Sequence, residues 1–233
     1  MILAVHQPQY LPWSGYFDKM DRADCFCYLD NVQFKKNEWQ NRNRIKTAAG
    51  WQWLSVPVHY RFPRKINEVK ISRQSDWQRK HLQALISNYS KSPYFEKYMP
   101  FFREVYSAEW ESCSRLNICI TEQIRRFLRI EDTATCRASD FQLREDPNER
   151  LTDLCTVLGA DTYLAGAGGK NYMNLKPFRE RGIRVIFQDF RHPVYPQLFG
   201  DFQSHLSVLD ILFNCGPESM NIIREANSRK GKR

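Results

Sequence analysis

With 233 residues, 42% of them hydrophobic and 26% charged, the chain is long enough to bury a sizeable core and has the composition of a globular domain. No run of about 18 apolar residues occurs, so no transmembrane helix is expected. The net charge of +9 argues for anionic ligands or partners.

The chain opens MILAVHQPQY. It lacks a basic leading region and turns polar after a short apolar run, so it reads as a buried first strand (2–5) and not as a signal peptide. The strand runs into HQPQYLPWSGYF, residues 6–17. In α/β sheets ligands bind beyond the carboxyl ends of the strands, where this loop falls. His6 comes directly off the strand, Gln7 and Gln9 offer amide donors and acceptors, and Tyr10, Trp13 and Tyr16 offer flat faces with polar tips. Pro8 and Pro12 stiffen the backbone and Gly15 permits close approach. The stretch reads either as the wall of a small-molecule pocket or as a stiff loop packed on the core.

A helical turn over 16–24 leads to a second strand, CFCYLDNVQF (25–34), with Asp30 and Gln33 near its carboxyl end. KKNEWQNRNRIK (35–46) follows, with five basic residues and one acid. Lys35, Arg42 and Lys46 are candidates to hold a phosphate or carboxylate, with Trp39 and Asn43 beside them. A solvated basic face is the ordinary reading of such a run. A nucleic-acid surface is another, because Phe34, Trp39, Trp51 and Trp53 interleave the charges. WQWLSVPV (51–58) and INEVKI (66–71) read as two more strands.

The middle third turns helical, with helices expected from Asp76 and Ser92 as N-caps and a third carrying Leu116, Ile120, Ile124 and Phe127 at helical spacing. This segment, about 76–129, reads as an insertion or lid within a single domain spanning 1–233. Alternation then resumes. TATCRA (133–138) reads as a strand. DPNERLTDLCTVLG reads as a helix capped by Asp146 and stopped by Gly159. DTYLAG (161–166) and GIRVIFQDF (182–190) are strands, and two helices close the chain before a basic tail, 227–233. After DTYLAG, Tyr163 is followed by Gly166, Gly168, Gly169 and Lys170, a turn in which backbone N–H groups could approach an anion. Asp189 closes the last strand. His81 reads as a packing residue, and Asp210, inside an apolar helix, needs a partner.

Seven cysteines, an odd number without a CxxC pair or zinc-like spacing to histidine, read as free thiols of a cytoplasmic protein. No metal site is expected. The sequence carries no GxSxG, HExxH, P-loop or dinucleotide fingerprint, so motifs alone name no reaction. The expected fold is α/β, a mostly parallel Rossmann-like sheet flanked by helices.

HQPQYLPWSGYF, DNVQFKKNEWQNRNRIK, SVPV, LGADTYLAGAGG and SVLDILFNCG together closely resemble the WbqC-like family. That resemblance implies a bacterial protein, with a glycine, aminoacyl or other acyl transferase role in O-antigen or surface-polysaccharide biosynthesis. It brings no catalytic residues with it. Such a transfer needs an activated donor: an adenylate formed from ATP, a thioester or a charged transfer RNA. The expected substrate is a small, sugar-linked or anionic molecule. On this reading His6 acts as base or oxyanion donor, Asp30 orients the acceptor, and Lys35 holds donor charge. A strand, a His- and Pro-containing loop, a helix and a strand ending in Asp also look similar to the opening of the HIGH-type nucleotidyltransferases, although this loop has one His where those enzymes use two. ATP-dependent nucleotidyl or adenylating chemistry is therefore the alternative, and nucleic-acid binding through 35–46 is the alternative of another class.

Overall fold

The computed structural model describes residues 1–227; the expected basic tail lies, from residue 228 on, outside the described residues. Short apolar runs form the strands of a parallel sheet: β1 (Ile2–His6), β2 (Cys25–Tyr28), β7 (Ala134–Arg137), β8 (Thr162–Ala165) and β9 (Arg184–Phe187). Their order is β7-β2-β1-β8-β9, and every pairing is parallel. The chain builds outward from β1 to one edge, then returns to the other side of β1. The Rossmann-like expectation is met, and the order reverses between β1 and β8, where such sheets leave a crevice.

Side-chain alternation divides the core. Leu3, Val5, Cys25 and Cys27 face one layer with Leu154, Cys155 and Phe178, from α5 (Pro147–Leu158) and α6 (Lys176–Glu180). Ala4, Phe26 and Tyr28 face the larger layer. There they meet Phe17 and Met20 of α1 (Ser14–Asp21) and, in the same continuous cluster, the buried faces of α2 (Trp77–Tyr89), α3 (Phe95–Ser107) and α4 (Cys113–Phe127). α7 (Leu209–Cys215) and α8 (Ser219–Asn227) close that side. No helix among the described residues is long and apolar enough to cross a membrane.

Between β2 and β7 the chain makes a long excursion. Its first part is an antiparallel hairpin, β3 (Arg42–Thr47) and β4 (Gly50–Ser55), where the sequence reads as a basic run followed by one strand. A two-residue pair, β5 (Val58–His59) and β6 (Lys70–Ile71), follows, with a short 3-10 turn over Ile66–Glu68 in place of the first half of the expected strand. The cap of α5 forms as its sequence dictates: Asp146 accepts from the Asn148 and Glu149 N–H groups, and Gly159 takes a left-handed φ of 71°. Asp76, by contrast, makes no capping bond at α2 and pairs with Arg79 instead. Ser92 lies ahead of α3, whose cap position is Tyr94.

Buried polar groups tie the excursion to the sheet. Both Asp30 oxygens accept from Ser139, one from its N–H (2.9 Å) and one from its hydroxyl (2.8 Å), which fixes the ends of β2 and β7 together. Tyr89 of α2 donates to Asp210 of α7 at 2.9 Å, the partner that this buried carboxylate requires. At the end of α7 the chain turns at Gly216, with φ 57°, and a Cβ there would overlap the Tyr94 ring. Gly216→Ala meets both a backbone penalty and this overlap, so it should lower stability by about 2 kcal/mol or more, read as a lower urea midpoint.

Candidate functional site

A cleft of about 1230 Å³ opens at the carboxyl ends of the parallel strands. It sits at the reversal of strand order: β1 with its following loop supplies Val5, His6 and Gln7, and β8 with its following turn supplies Tyr163 and Gly166. The stretch after β2 contributes Leu29, Asn31, Val32 and Gln33. Arg64, Lys65 and Glu68 form one rim, and Glu145, Asn148, Arg150, Tyr172 and Met173 the other. α2–α4 contribute no lining residue.

The floor is set by a strand divergence. β1 and β8 pair as far as Ala4 and Leu164 and then part. The Val5 carbonyl, just past that point, accepts from the Lys19 ammonium nitrogen at 2.8 Å. Lys19 projects from α1, is only 2% exposed, and has no carboxylate partner among the described residues. Its neighbour Asp18 points away, where Gln188 at the end of β9 donates to it at 2.7 Å. Burial alone brings the Lys19 pKa down from 10.5 to about 7. A lysine so placed is an amine for part of the time at neutral pH, able to accept a proton or act as a nucleophile.

His6 stands beside it, half-buried, its ring centroid 4.7 Å from that of Tyr16. Burial first, and the Lys19 charge second, lower its pKa to about 3. The imidazole is therefore neutral. Its Nδ1 lies 3.2 Å from the Gln7 carbonyl, which can only accept, so Nδ1 carries the proton and Nε2 keeps its lone pair. The rim is charged by contrast, with Arg64, Lys65 and Arg150 set against Glu68 and Glu145. Arg64 and Lys65 are exposed and have no carboxylate partner among the described residues, and Arg150 donates to the Glu145 carbonyl at 2.8 Å.

Of the residues singled out in the sequence, His6, Gln7, Gln33, Tyr163 and Gly166 line this cleft. The structure places the others elsewhere. Tyr10 is fully buried, its hydroxyl 2.7 Å from His81 Nδ1 and 2.6 Å from the Tyr106 hydroxyl. Gln9 is buried, and its side-chain oxygen finds no partner among the described residues. Trp13 lies over Gly15 and against Phe190 and His192, while Tyr16 packs behind His6. Asp30 is engaged by Ser139. Asn43 donates to the Leu11 carbonyl at 2.6 Å, and the Lys46 ammonium is held by Gln197 and the Asp201 carbonyl. Lys35 is exposed, and Trp39 and Arg42 belong to the hairpin surface. Beyond Gly166, Gly168 is exposed, Gly169 packs against Met173 and Phe187, and Lys170 lies 5.9 Å from the Phe187 ring centroid. Asp189 is exposed. Lys19, Arg64, Lys65 and Arg150 are the cleft cations that the sequence reading did not single out, and Asn31, Glu68, Glu145, Asn148 and Tyr172 were also missed. Lys19 follows Gly15 by one helical turn, which puts it on the face of α1 that returns over β1; that spacing was its one available signal.

The lysine gives the site a pH signature. Because its folded pKa lies below 10.5, the unfolded chain binds more protons between about pH 7 and 10.5, and stability rises with pH across that window. His6 has the same sign at lower pH: its burial costs stability as pH falls from 6.5 towards 3. From pH 7 to 9 the wild type should gain about 2 kcal/mol that a Lys19→Met variant does not. Urea unfolding of both proteins at the two pH values measures this, and parallel curves would contradict it.

Comparison with known proteins gives the chain its relations. The model of the WbqC-like protein family matches residues 7–222. A Mycobacterium tuberculosis protein (strain ATCC 25618 / H37Rv), called uncharacterized protein Rv1507c, is 37% identical over 226 residues, covering 95% of this chain and 97% of its own length. No solved structure matches. The match runs from the turn after β1 into α8, and so takes in the other four strands of the parallel sheet and the rim of the crevice: the chain belongs to the WbqC-like protein family.

Proposed function

We propose that the protein is a cytoplasmic group-transfer enzyme that moves an acyl or aminoacyl group from an activated, anionic donor to a small, sugar-linked acceptor. The surface-polysaccharide setting comes from the family resemblance. The observation that carries the chemistry is the Lys19 amine, buried without a counter-ion among the described residues at the floor of the crevice between β1 and β8.

In this mechanism the neutral Lys19 amine removes a proton from the acceptor amine or hydroxyl. The acceptor attacks the donor carbonyl, its new bond to the acyl carbon forms, and the bond to the leaving group breaks with the electron pair departing on that group. His6 Nε2 accepts a hydrogen bond from the acceptor and orients it. Arg64, Lys65 and Arg150 hold the donor's phosphate or carboxylate at the rim, where guanidinium and ammonium groups meet such anions well. Gly166 leaves the wall low beside β8. Asp30 acts through Ser139 as a positioning residue that keeps the ends of β2 and β7 in register.

The strand order favours a second reading as well, adenylating or nucleotidyl chemistry in the same crevice, since a sheet that reverses order at β1 suits a nucleotide there. Release of pyrophosphate from ATP separates the two.

A thermal-shift screen against ATP, nucleotide sugars, acyl-CoA and amino acids tests the proposal. A ligand at 100 times its Kd stabilises the native state by about 2.7 kcal/mol, which a melting curve resolves. The donor should shift the wild type and fail to shift an Arg64→Gln, Lys65→Gln variant. With donor and acceptor in hand, Lys19→Met should lower turnover about 100-fold or more, the range of general base catalysis. Wild-type turnover in folded Lys19→Met would overturn the assignment.

A further inference from the structure

The hairpin β3–β4 has two unlike faces. Its inward residues, Asn43, Ile45 and Leu54, are 0%, 0% and 3% exposed. The outward positions alternate with them: Arg42 and Arg44 on β3, Trp51 and Trp53 on β4, with Arg44 directly opposite Trp53. Trp39, from the preceding loop, joins the same surface. Trp39, Trp51 and Trp53 are 36%, 43% and 37% exposed, a contiguous indole surface. The ring centroids of Trp39 and Trp53 lie 5.7 Å apart, and those of Trp51 and Trp53 5.6 Å. Surface tryptophans in one cluster are uncommon on a chain with no partner to cover them.

Cations are set among the rings. The Arg42 guanidinium lies 4.2 Å from the Trp53 centroid, and that of Arg44 lies 4.9 Å from Trp51. Neither arginine has a carboxylate partner among the described residues; Arg44 donates to the His205 carbonyl, and the Nε of each has no hydrogen-bond partner. The outward positions of the two strands hold no acid. The platform is also braced from beneath: the Trp39 carbonyl accepts from Tyr10 N–H at 3.0 Å, and Asn43 from the inward face donates to Leu11.

We propose that this face binds single-stranded nucleic acid, with bases stacked on the indole and guanidinium planes and phosphates held by Arg42 and Arg44. The argument is one of complementarity. The partner must offer flat π surfaces and negative charge at close intervals, and a single strand offers both in every nucleotide. A neutral sugar would need carboxylate or amide groups to take its hydroxyls, and the outward strand positions offer only the Ser55 hydroxyl beside the rings and cations. The net charge of +9 adds long-range attraction to a polyanion. The platform shares no residue with the cleft, so the inference stands apart from the proposed transfer chemistry.

The test is anisotropy of a labelled oligouridylate with the full chain, together with quenching of its tryptophan fluorescence. Binding at low salt should quench the fluorescence and weaken with salt. Two neutralised phosphates give a log–log slope of about −1.4. Trp51→Ala and Trp53→Ala should each weaken binding about tenfold or more, and Trp53→Tyr, which keeps a ring, should retain most of it. Arg42→Gln should flatten the slope by about 0.7. Melting curves confirm folding; should Trp53→Ala not fold, Trp51→Ala and Arg42→Gln carry the test. No binding at low salt would overturn the proposal, as would unchanged affinity in folded Trp51→Ala and Arg42→Gln. Tighter, substitution-sensitive binding to anionic vesicles or dextran sulfate would overturn it in favour of a membrane or an acidic glycan.

Discussion

The site depends on one hydrogen bond, from Lys19 to the Val5 carbonyl. Parallel strands that part must leave backbone groups without ladder partners, and a buried carbonyl so left costs about 1–3 kcal/mol. Here β8 leaves β1 after Leu164, and α1 returns a lysine to the place where the next donor would have been. An ammonium group satisfies the carbonyl but brings a buried charge. A neutral amine satisfies it with one N–H and retains a lone pair. The conflict between these states brings the lysine pKa to about 7 and, through its charge, helps keep His6 neutral. The reactive character of the floor thus follows from sheet topology.

This explains which parts of the molecule were legible in the sequence. Buried parallel strands read as short apolar runs, so ILAV, CFCY, TYLA and RVIF declared the sheet, and Asp146 with Gly159 declared α5. The β3–β4 hairpin did not declare itself. Its first strand, RNRIKT, has a single large apolar residue, Ile45, on its inward face and arginines outward, so it reads as a charge run. His6 and Gly166 were legible because a site at strand ends can be placed once the strands are placed. Lys19 sits in DKMDRAD, which reads only as part of a helical turn; only the fold shows that seven consecutive residues, Ser14 to Met20, are buried. Tyr10, Asn43 and Lys46 have the chemistry of ligand groups, but their partners are His81, Leu11 and Gln197, which no local pattern joins to them.

Those internal partners do mechanical work. The Tyr10–His81–Tyr106 cluster, the Tyr89–Asp210 bond and the Asp30–Ser139 pair each join distant parts of the chain. A buried polar group is costly unless its partner is in place, so each connection fixes position more sharply than apolar contact alone. The long excursion between β2 and β7 is therefore held to the sheet at defined points. One consequence is that the opening loop serves two surfaces: His6 and Gln7 face the cleft, while Tyr10 and Leu11 brace the tryptophan hairpin through their backbone.

Charge is graded along the cleft, and the gradient bears on how a donor would sit. At the rim, Arg64 and Lys65 are exposed, so water screens them and an anion can exchange there without a large desolvation cost. At the floor, Lys19 and His6 are withdrawn from water, where a full charge is unfavourable and both pKa values are lowered accordingly. An anionic group is thus drawn to the rim and finds little to hold it below, while an uncharged carbonyl or hydroxyl loses less on entering the floor. The same molecule would be oriented with its charged leaving group outward and its reacting atom towards the amine. Had Lys19 been paired with a carboxylate, its charge would be fixed and the floor would lose both its neutral amine and this directional preference.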